Sequence, residues 1–164
     1  MALPRIGSAD MTIDQVAARL KGEIAELDDV RIQVPDTVVC RVDPATLKDV
    51  AHRVRDIEGC GYEMLNFIAA VDRGDKLEAV YHLYSFVSNS YLELHVGLPR
   101  GKAEVDTVSD VWPAADWHER EAWDMMGIKF LGHPDLRRIL LRDDFVGHPL
   151  RKDYADLVEN HPYA

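Results

Sequence analysis

Two different periods of apolar residues run along this chain, one near 3.6 and one near 2. In "TIDQVAARLKGEIAEL" the residues Ile13, Val16, Ala17, Leu20, Ile24 and Leu27 fall on one stripe, which predicts an amphipathic helix. Thr12 and Gln15 stand at capping-box spacing at its start. "VRIQV" and "TVVCRV" then alternate around Pro35, predicting a strand pair or one interrupted strand, since proline is tolerated at edges and breaks. A second stripe, Leu47, Val50, Ala51, Val54 and Ile57, predicts a helix with Asp43 as N-cap, Pro44 at its first position and Gly59 beyond its end.

Three strand-like runs follow, "YEMLNFIAAV", "LEAVYHLYSFV" and "YLELHVGL", separated by "DRGDK" and "SNS". Such short Gly, Asp, Asn and Ser links suit tight reversals and predict an antiparallel meander. The helix between the early strands and the meander permits a βαβ crossover. The expected fold is therefore α+β: a mixed, largely antiparallel sheet with helices on one face.

From Asp106 the pattern changes. "DTVSDVWP" predicts a short helix stopped near Pro113, and "DWHEREAWDMMG" another, with Asp116 and Glu119 as a capping box and Gly127 as a left-handed terminator. Beyond it, turn signals recur every few residues, which predicts an extended C-terminal arm. "GHPDLRR" from Gly132 is echoed by "GHPLRK" from Gly147, two similar turns each expected to feed a basic strand. The expected organisation is a core domain over 1–116 and a short helix with a partner-binding arm over 117–164.

Composition narrows the function. The chain has 164 residues, 47% hydrophobic and 29% charged, ordinary for one soluble globular domain. A formal charge of −10 argues against nucleic acid as a partner and against an anionic membrane surface. The acidic excess lies in residues 1–116, with 20 acidic and 12 basic side chains, whereas 117–154 hold seven of each. Cys40 and Cys60 are too few for a four-cysteine iron-sulfur cluster and are expected to be core thiols in a reducing compartment. No signal or transit character marks the N-terminus, and no apolar run reaches the ~20 residues of a membrane span.

Candidate chemistry concentrates after Trp117. "HERE" resembles the zinc-peptidase motif H-E-x-x-H, but Ala122 stands where the second histidine would be. His133 and His148, each between Gly and Pro, fit turn-shaping better than metal binding. Glu119 and Glu121 lie two apart on a helix and so point in different directions, unlike an acid-base pair. Arg120 has Asp124 four residues on as an expected partner, leaving Glu121 for an arginine from elsewhere. Trp117 and Trp123 straddle two helix faces, so one is expected to meet something outside the home core, which suits an interface. Phosphate loops, dinucleotide fingerprints and nucleophile elbows are absent from the sequence. Arg137, Arg138, Arg142, Arg151 and Lys152 place five cations within sixteen residues, interspersed with aspartates. Charge pairing within an arm or across to a partner explains that density better than a solvated tail.

"EREAWDMMGIKFLGHPDLRRIL" followed by "GHPLRKDY" resembles the 30-kDa subunit family of respiratory complex I, lettered C in the bacterial NADH-quinone oxidoreductase. Trp112 and Pro113 resemble its lead-in, and His148 resembles the common bacterial form rather than the plastid one. The resemblance implies a scaffold subunit of the peripheral arm, on the cytoplasmic side of the bacterial plasma membrane. It implies docking on the 49-kDa-type subunit, lettered D in bacteria, near iron-sulfur subunits. It implies no cofactor in this chain, with NADH, FMN, iron-sulfur clusters and quinone handled by other subunits. Trp117, Glu119, Arg120, Glu121, Asp124 and His133 are then expected at the interface or positioning the arm. So are Arg137, Arg138, Arg142, His148, Arg151 and Lys152. Two alternatives stand beside this: the equivalent subunit of a related ferredoxin-, deazaflavin- or hydrogen-dependent complex, and a free-standing metal enzyme using the Glu, Asp and His residues of 118–148.

Overall fold

The computed structural model describes residues 11–33 and 35–155. Helix α1 spans Ile13–Glu23, and its capping box forms as expected, with the Gln15 N–H donating to Thr12 Oγ1 (3.3 Å) and the Thr12 N–H to Gln15 Oε1 (2.9 Å). The stripe outlasts the helix: Ile24 already has extended backbone, yet Ile24 and Leu27 stay buried. Strands β1 (Asp28–Gln33) and β2 (Thr37–Arg41) pair antiparallel across a turn containing Pro35.

Helix α2 covers Leu47–Asp56, later than the expected start. Asp43 caps a turn instead, accepting from the Ala45 N–H at Oδ1 (2.8 Å) and from the Thr46 N–H at its carbonyl (3.1 Å). Local side-chain bonding by Asp competes with helix for the same backbone groups. Strands β3 (Met64–Asp72), β4 (Lys76–Ser85) and β5 (Ser90–Pro99) form the meander. The sheet order is β1-β2-β5-β4-β3, with β2 parallel to β5 and the other pairs antiparallel. The α2 crossover thus carries the chain from β2 to the far edge, and the mixed sheet has its physical cause there.

Alternation gives the sheet an apolar face. Leu77, Tyr81 and Leu83 of β4 stand opposite Leu98, Leu94 and Leu92 of β5, all fully buried. They share one core with Val16 and Leu20 of α1 and with Val50, Ala51 and Val54 of α2. Each such Leu or Val contributes roughly 1.5–3 kcal/mol by leaving water. Cys40 and Cys60 are unpaired thiols in this core, and burial pushes Cys40 up to about 12.

After a 3-10 turn at Arg100–Lys102 the structure departs from expectation. Glu104–Asp106 is a strand, β6, and pairs in parallel with β7 (Lys129–Leu131) in a second, two-stranded sheet. In place of a helix before Pro113 there are turns, in which the Val111 and Trp112 N–H groups share the Val108 carbonyl. Helix α3 covers Ala115–Met126, so the expected boundary at 116/117 lies inside it. It packs against β3 and adds Ala115, Ala122 and Met126 to the core. Its N-cap is Ala114, with no side-chain cap bond, because Glu119 turns inward rather than back to the helix start. Gly127 ends it in the left-handed conformation (φ 74°), as expected. The two Gly-His-Pro turns lead into irregular backbone, not basic strands: past Leu131 no described residue is in a strand.

Candidate partner interface

An arm without regular structure must satisfy its backbone groups by other means. Asp124, fully buried on α3, supplies one such means. Its Oδ2 accepts three successive N–H groups, from Ile139 (3.0 Å), Leu140 (2.8 Å) and Leu141 (3.0 Å), while Oδ1 accepts from Arg138 Nη1 (2.6 Å). Burial alone would raise the Asp124 carboxyl, but the N–H groups of Leu141 and Leu140, the Arg138 guanidinium and the Ile139 N–H together hold it below its ordinary value. Arg138 also donates Nη2 to the carbonyls of Phe145 (2.9 Å) and Gly147 (3.1 Å) and lies over the Trp123 and Phe145 rings. One ion pair therefore fixes both halves of the arm.

His148 completes this anchor by donating Nδ1–H to the Asp124 carbonyl (3.0 Å). Its ring lies so close to Gly127 that a Cβ there would sit 2.6 Å from it. Gly127 is thus required twice, for its positive φ and for the ring above it.

Glu119 is the second buried carboxylate of α3. It accepts from the Val108 N–H (2.8 Å) and the Thr107 hydroxyl (2.5 Å), tying the turn before α3 to the helix. Burial raises its carboxyl to about 7, against the opposing pull of those two bonds. His133 Nε2 is 3.9 Å away; the Asp135 N–H donates to its Nδ1 (3.0 Å), which leaves Nε2–H to donate to the Asp116 carbonyl (3.1 Å). Among the described residues the buried Tyr81 hydroxyl has no hydrogen-bond partner, and burial, with the Glu119 charge second, raises it well above its ordinary value.

The end of the arm is latched to the sheet. Asp72, at the end of β3, accepts from Arg100 Nη1 (2.6 Å) and Nη2 (2.9 Å), the Gly74 N–H (2.8 Å) and the Lys152 N–H (2.8 Å). Arg100 foremost, then the Lys152 N–H, hold its carboxyl well below the usual carboxylate range. Arg100 also pairs with Asp153 (2.7 Å), which Arg151 contacts as well (3.0 Å).

The twelve candidate residues thus divide. Glu119, Arg120, Asp124, His133, Arg138 and His148 are bonded within the chain, and Glu119, Arg120 and Asp124 are buried. The expected Arg120–Asp124 pair is replaced: Arg120 lies over the Trp117 ring, 4.0 Å from Asp116, and donates Nε to the Arg137 carbonyl (3.3 Å). Arg138 and the backbone already fill Asp124. Arg137 and Arg142 make exposed pairs with Asp135 (2.8 Å) and Asp144 (3.0 Å), which solvent screens. Arg151 and the Lys152 backbone serve the latch. Trp117 is 64% exposed, and Glu121 is exposed with no bonding partner among the described residues. Of the eight exposed large hydrophobics among the described residues, five lie between 117 and 150: Trp117, Leu131, Leu140, Val146 and Leu150. The charges hold the arm in shape, and the arm turns apolar side chains outward.

Sequence reasoning missed Asp72, Arg100 and Thr107. Asp72 reads only as a turn residue and Thr107 as part of a short helix, and nothing local marks a bond between residues 80 apart such as Lys152 and Asp72. Among the described residues no three His, Cys, Asp or Glu side chains converge as a metal would require.

The chain resembles known proteins in sequence and in fold. The C subunit of NADH-quinone oxidoreductase from Geobacter sulfurreducens is 50% identical over 101 residues, 59% of this chain and 62% of that relative, so the shared segment is under two thirds of its length. The C/D subunit of NADH-quinone oxidoreductase from Acidiphilium cryptum is 41% identical over 131 residues, 71% of this chain but only 22% of the longer protein. Among solved structures, a chain of the membrane-bound sulfane sulfur reductase, an archaeal respiratory membrane complex, shares the fold with TM-score 0.78 at 22% identity, over 88% of this chain and 86% of its own. The model of the respiratory-chain NADH dehydrogenase 30 Kd subunit family matches residues 40–159, which run from the last two residues of β2 through α2, β3 to β7, α3 and the whole described arm, and the chain belongs to that family.

Proposed function

We propose that this chain is a scaffold subunit in the peripheral arm of a proton-translocating NADH-quinone oxidoreductase, on the cytoplasmic side of a bacterial plasma membrane. It docks on the 49-kDa-type subunit, beside iron-sulfur subunits. It binds no cofactor itself and performs no catalysis alone: NADH, FMN, the clusters and quinone are handled by its neighbours. The observation that carries this reading is the arm, whose family signature goes into internal anchoring while Trp117, Leu140 and Leu150 face outward. Exposed aromatic and aliphatic side chains on a shaped support suit a protein partner. The C/D relative supports the 49-kDa-type subunit as that partner, since there a segment like this chain lies within a much longer polypeptide that carries both letters. Among the described residues no helix is long and apolar enough to cross a membrane, so attachment through neighbours is the route proposed.

The test is capture of the tagged chain from gently solubilised native membranes, with mass spectrometry and an NADH-to-quinone assay on the same fraction. The 49-kDa-type subunit, cluster-bearing subunits and NADH activity together are the expected result. The same partners without NADH activity reassign the host to a complex with another electron donor, and capture of the chain alone overturns the scaffold reading.

A further inference from the structure

The main sheet has two edges, and they are built differently. At β1 the edge carries exposed Asp28, Asp29 and Arg31, a register irregularity, and a positive φ at Asp29 (50°). Charge and irregularity of this kind keep other strands away. The opposite edge, β3, reads Met-Leu-Asn-Phe-Ile-Ala-Ala-Val-Asp, with no charge before its last residue and no proline or glycine. Among the described residues it pairs only with β4, and beyond a register irregularity between Leu65 and Phe67 that pairing is regular. An edge with seven apolar residues in nine is a template for a further strand unless something covers it.

Beside this edge lies a groove of about 330 Å³ between β3 and α3. Four successive residues, Phe67, Ile68, Ala69 and Ala70, line it. Successive strand residues point to opposite faces, so a groove touching all four follows the edge of the strand rather than one face. The α3 wall brings Met125, an adaptable apolar side chain, and Glu121. Glu119 and Asp124 on the same helix are fully bonded within the chain, whereas Glu121 is exposed and has no ion pair or hydrogen bond among the described residues. An unpaired carboxylate at the rim of an apolar slot selects a cation.

We propose that the β3 edge is a strand-addition site: an extended segment of the partner subunit pairs its main chain with β3, lays small aliphatic side chains against Ala69 and Met125, and sets an Arg or Lys on Glu121. Main-chain bonding supplies the affinity in such sites and alternate side chains the specificity. This rests on the scaffold reading and deepens it by naming the kind of segment the partner contributes.

The experiment uses the full chain in its complex, with a photo-crosslinking residue at Ala69 and, separately, the charge reversal Glu121→Arg. Irradiation is expected to join Ala69 to an extended, Lys- or Arg-containing peptide of a partner subunit. Amides of Phe67–Val71 are expected to exchange at least tenfold more slowly in the complex than in the free chain. Glu121→Arg is expected to lower capture of the partner at least tenfold while leaving the melting of the free chain unchanged. Crosslinks only to a second copy of this chain, or an assembled complex with no crosslink and no added amide protection, overturn the strand-addition site and leave the scaffold reading standing. If the unaltered chain captures no partner, the scaffold reading falls, and this inference with it.

Discussion

The sheet domain and the arm reach a fixed shape by opposite means. Core residues such as Leu77, Leu92 and Leu94 are fully buried apolar side chains packed under α1 and α2, and no single contact defines that packing. From Gly132 to Ala155 the His133 side chain is buried but no residue is buried as a whole, yet the backbone is pinned by a few polar groups: Asp124, Arg138, His148 and the Asp72–Arg100 latch. A core distributes its stability over many weak contacts and so tolerates small losses. An arm held by two carboxylates concentrates its order in a few bonds, which makes it sensitive to single charges. That design suits the proposed scaffold role, in which Leu140 and Leu150, both exposed, would face a partner.

The largest expected effect breaks the arm and spares the sheet. Asp124→Ala removes the acceptor for three N–H groups and leaves Arg138 unpaired, costing the arm about 3–5 kcal/mol. Hydrogen exchange should show Ile139, Leu140 and Leu141 unprotected while β4 and β5 stay protected. Loss of protection in both regions would mean that they are one cooperative unit. The reciprocal test is Leu94→Ala in the core, expected to cost about 2–5 kcal/mol and to lower the denaturation midpoint of the whole chain.

A smaller effect separates the two buried carboxylates of α3. Folded Glu119 titrates near 7, above its unfolded value, so the folded state keeps a proton that the unfolded state has already released. The Glu119 contribution to stability is therefore full below the ordinary carboxylate range, falls as pH rises toward 7, and levels off above it, by at most about 3 kcal/mol. Urea melts from pH 4 to 8 should show this slope in the unaltered chain and a flatter one in Glu119→Gln. Equal slopes would mean that Glu119 is ionised in the fold throughout. Asp72 behaves oppositely: its lowered value makes the latch stable at neutral pH and weakens it only in acid.

The smallest effect on folding belongs to the exposed side chains. Trp117→Ala should change stability by no more than about 0.5 kcal/mol, since the ring is 64% exposed, while reducing capture of the 49-kDa-type subunit. A large drop in stability would place Trp117 with the core rather than the interface.

Legibility in the sequence follows the range of the interaction. The Thr12–Gln15 box, the stripes of α1 and α2 and the meander are local or periodic, and all were readable. The Asp43 and Asp116 caps were misplaced because an Asp or Glu has several backbone groups within reach, and packing chooses among them. The second sheet was invisible, since three-residue strands 25 positions apart carry no period.

By itself the sequence determined the α+β class, the two amphipathic helices, the meander and the cluster of charge after Trp117, all of which depend on side-chain period and on short spacings. Only the tertiary structure decided that β2 joins β5 in parallel, that Glu119 and Asp124 turn inward, and that Arg138 and Lys152 close the arm on α3 and β3. Those choices are made between residues up to 80 positions apart, where the partner of a charge is set by which buried group would otherwise stay unpaired, a cost that exists only once the core has formed.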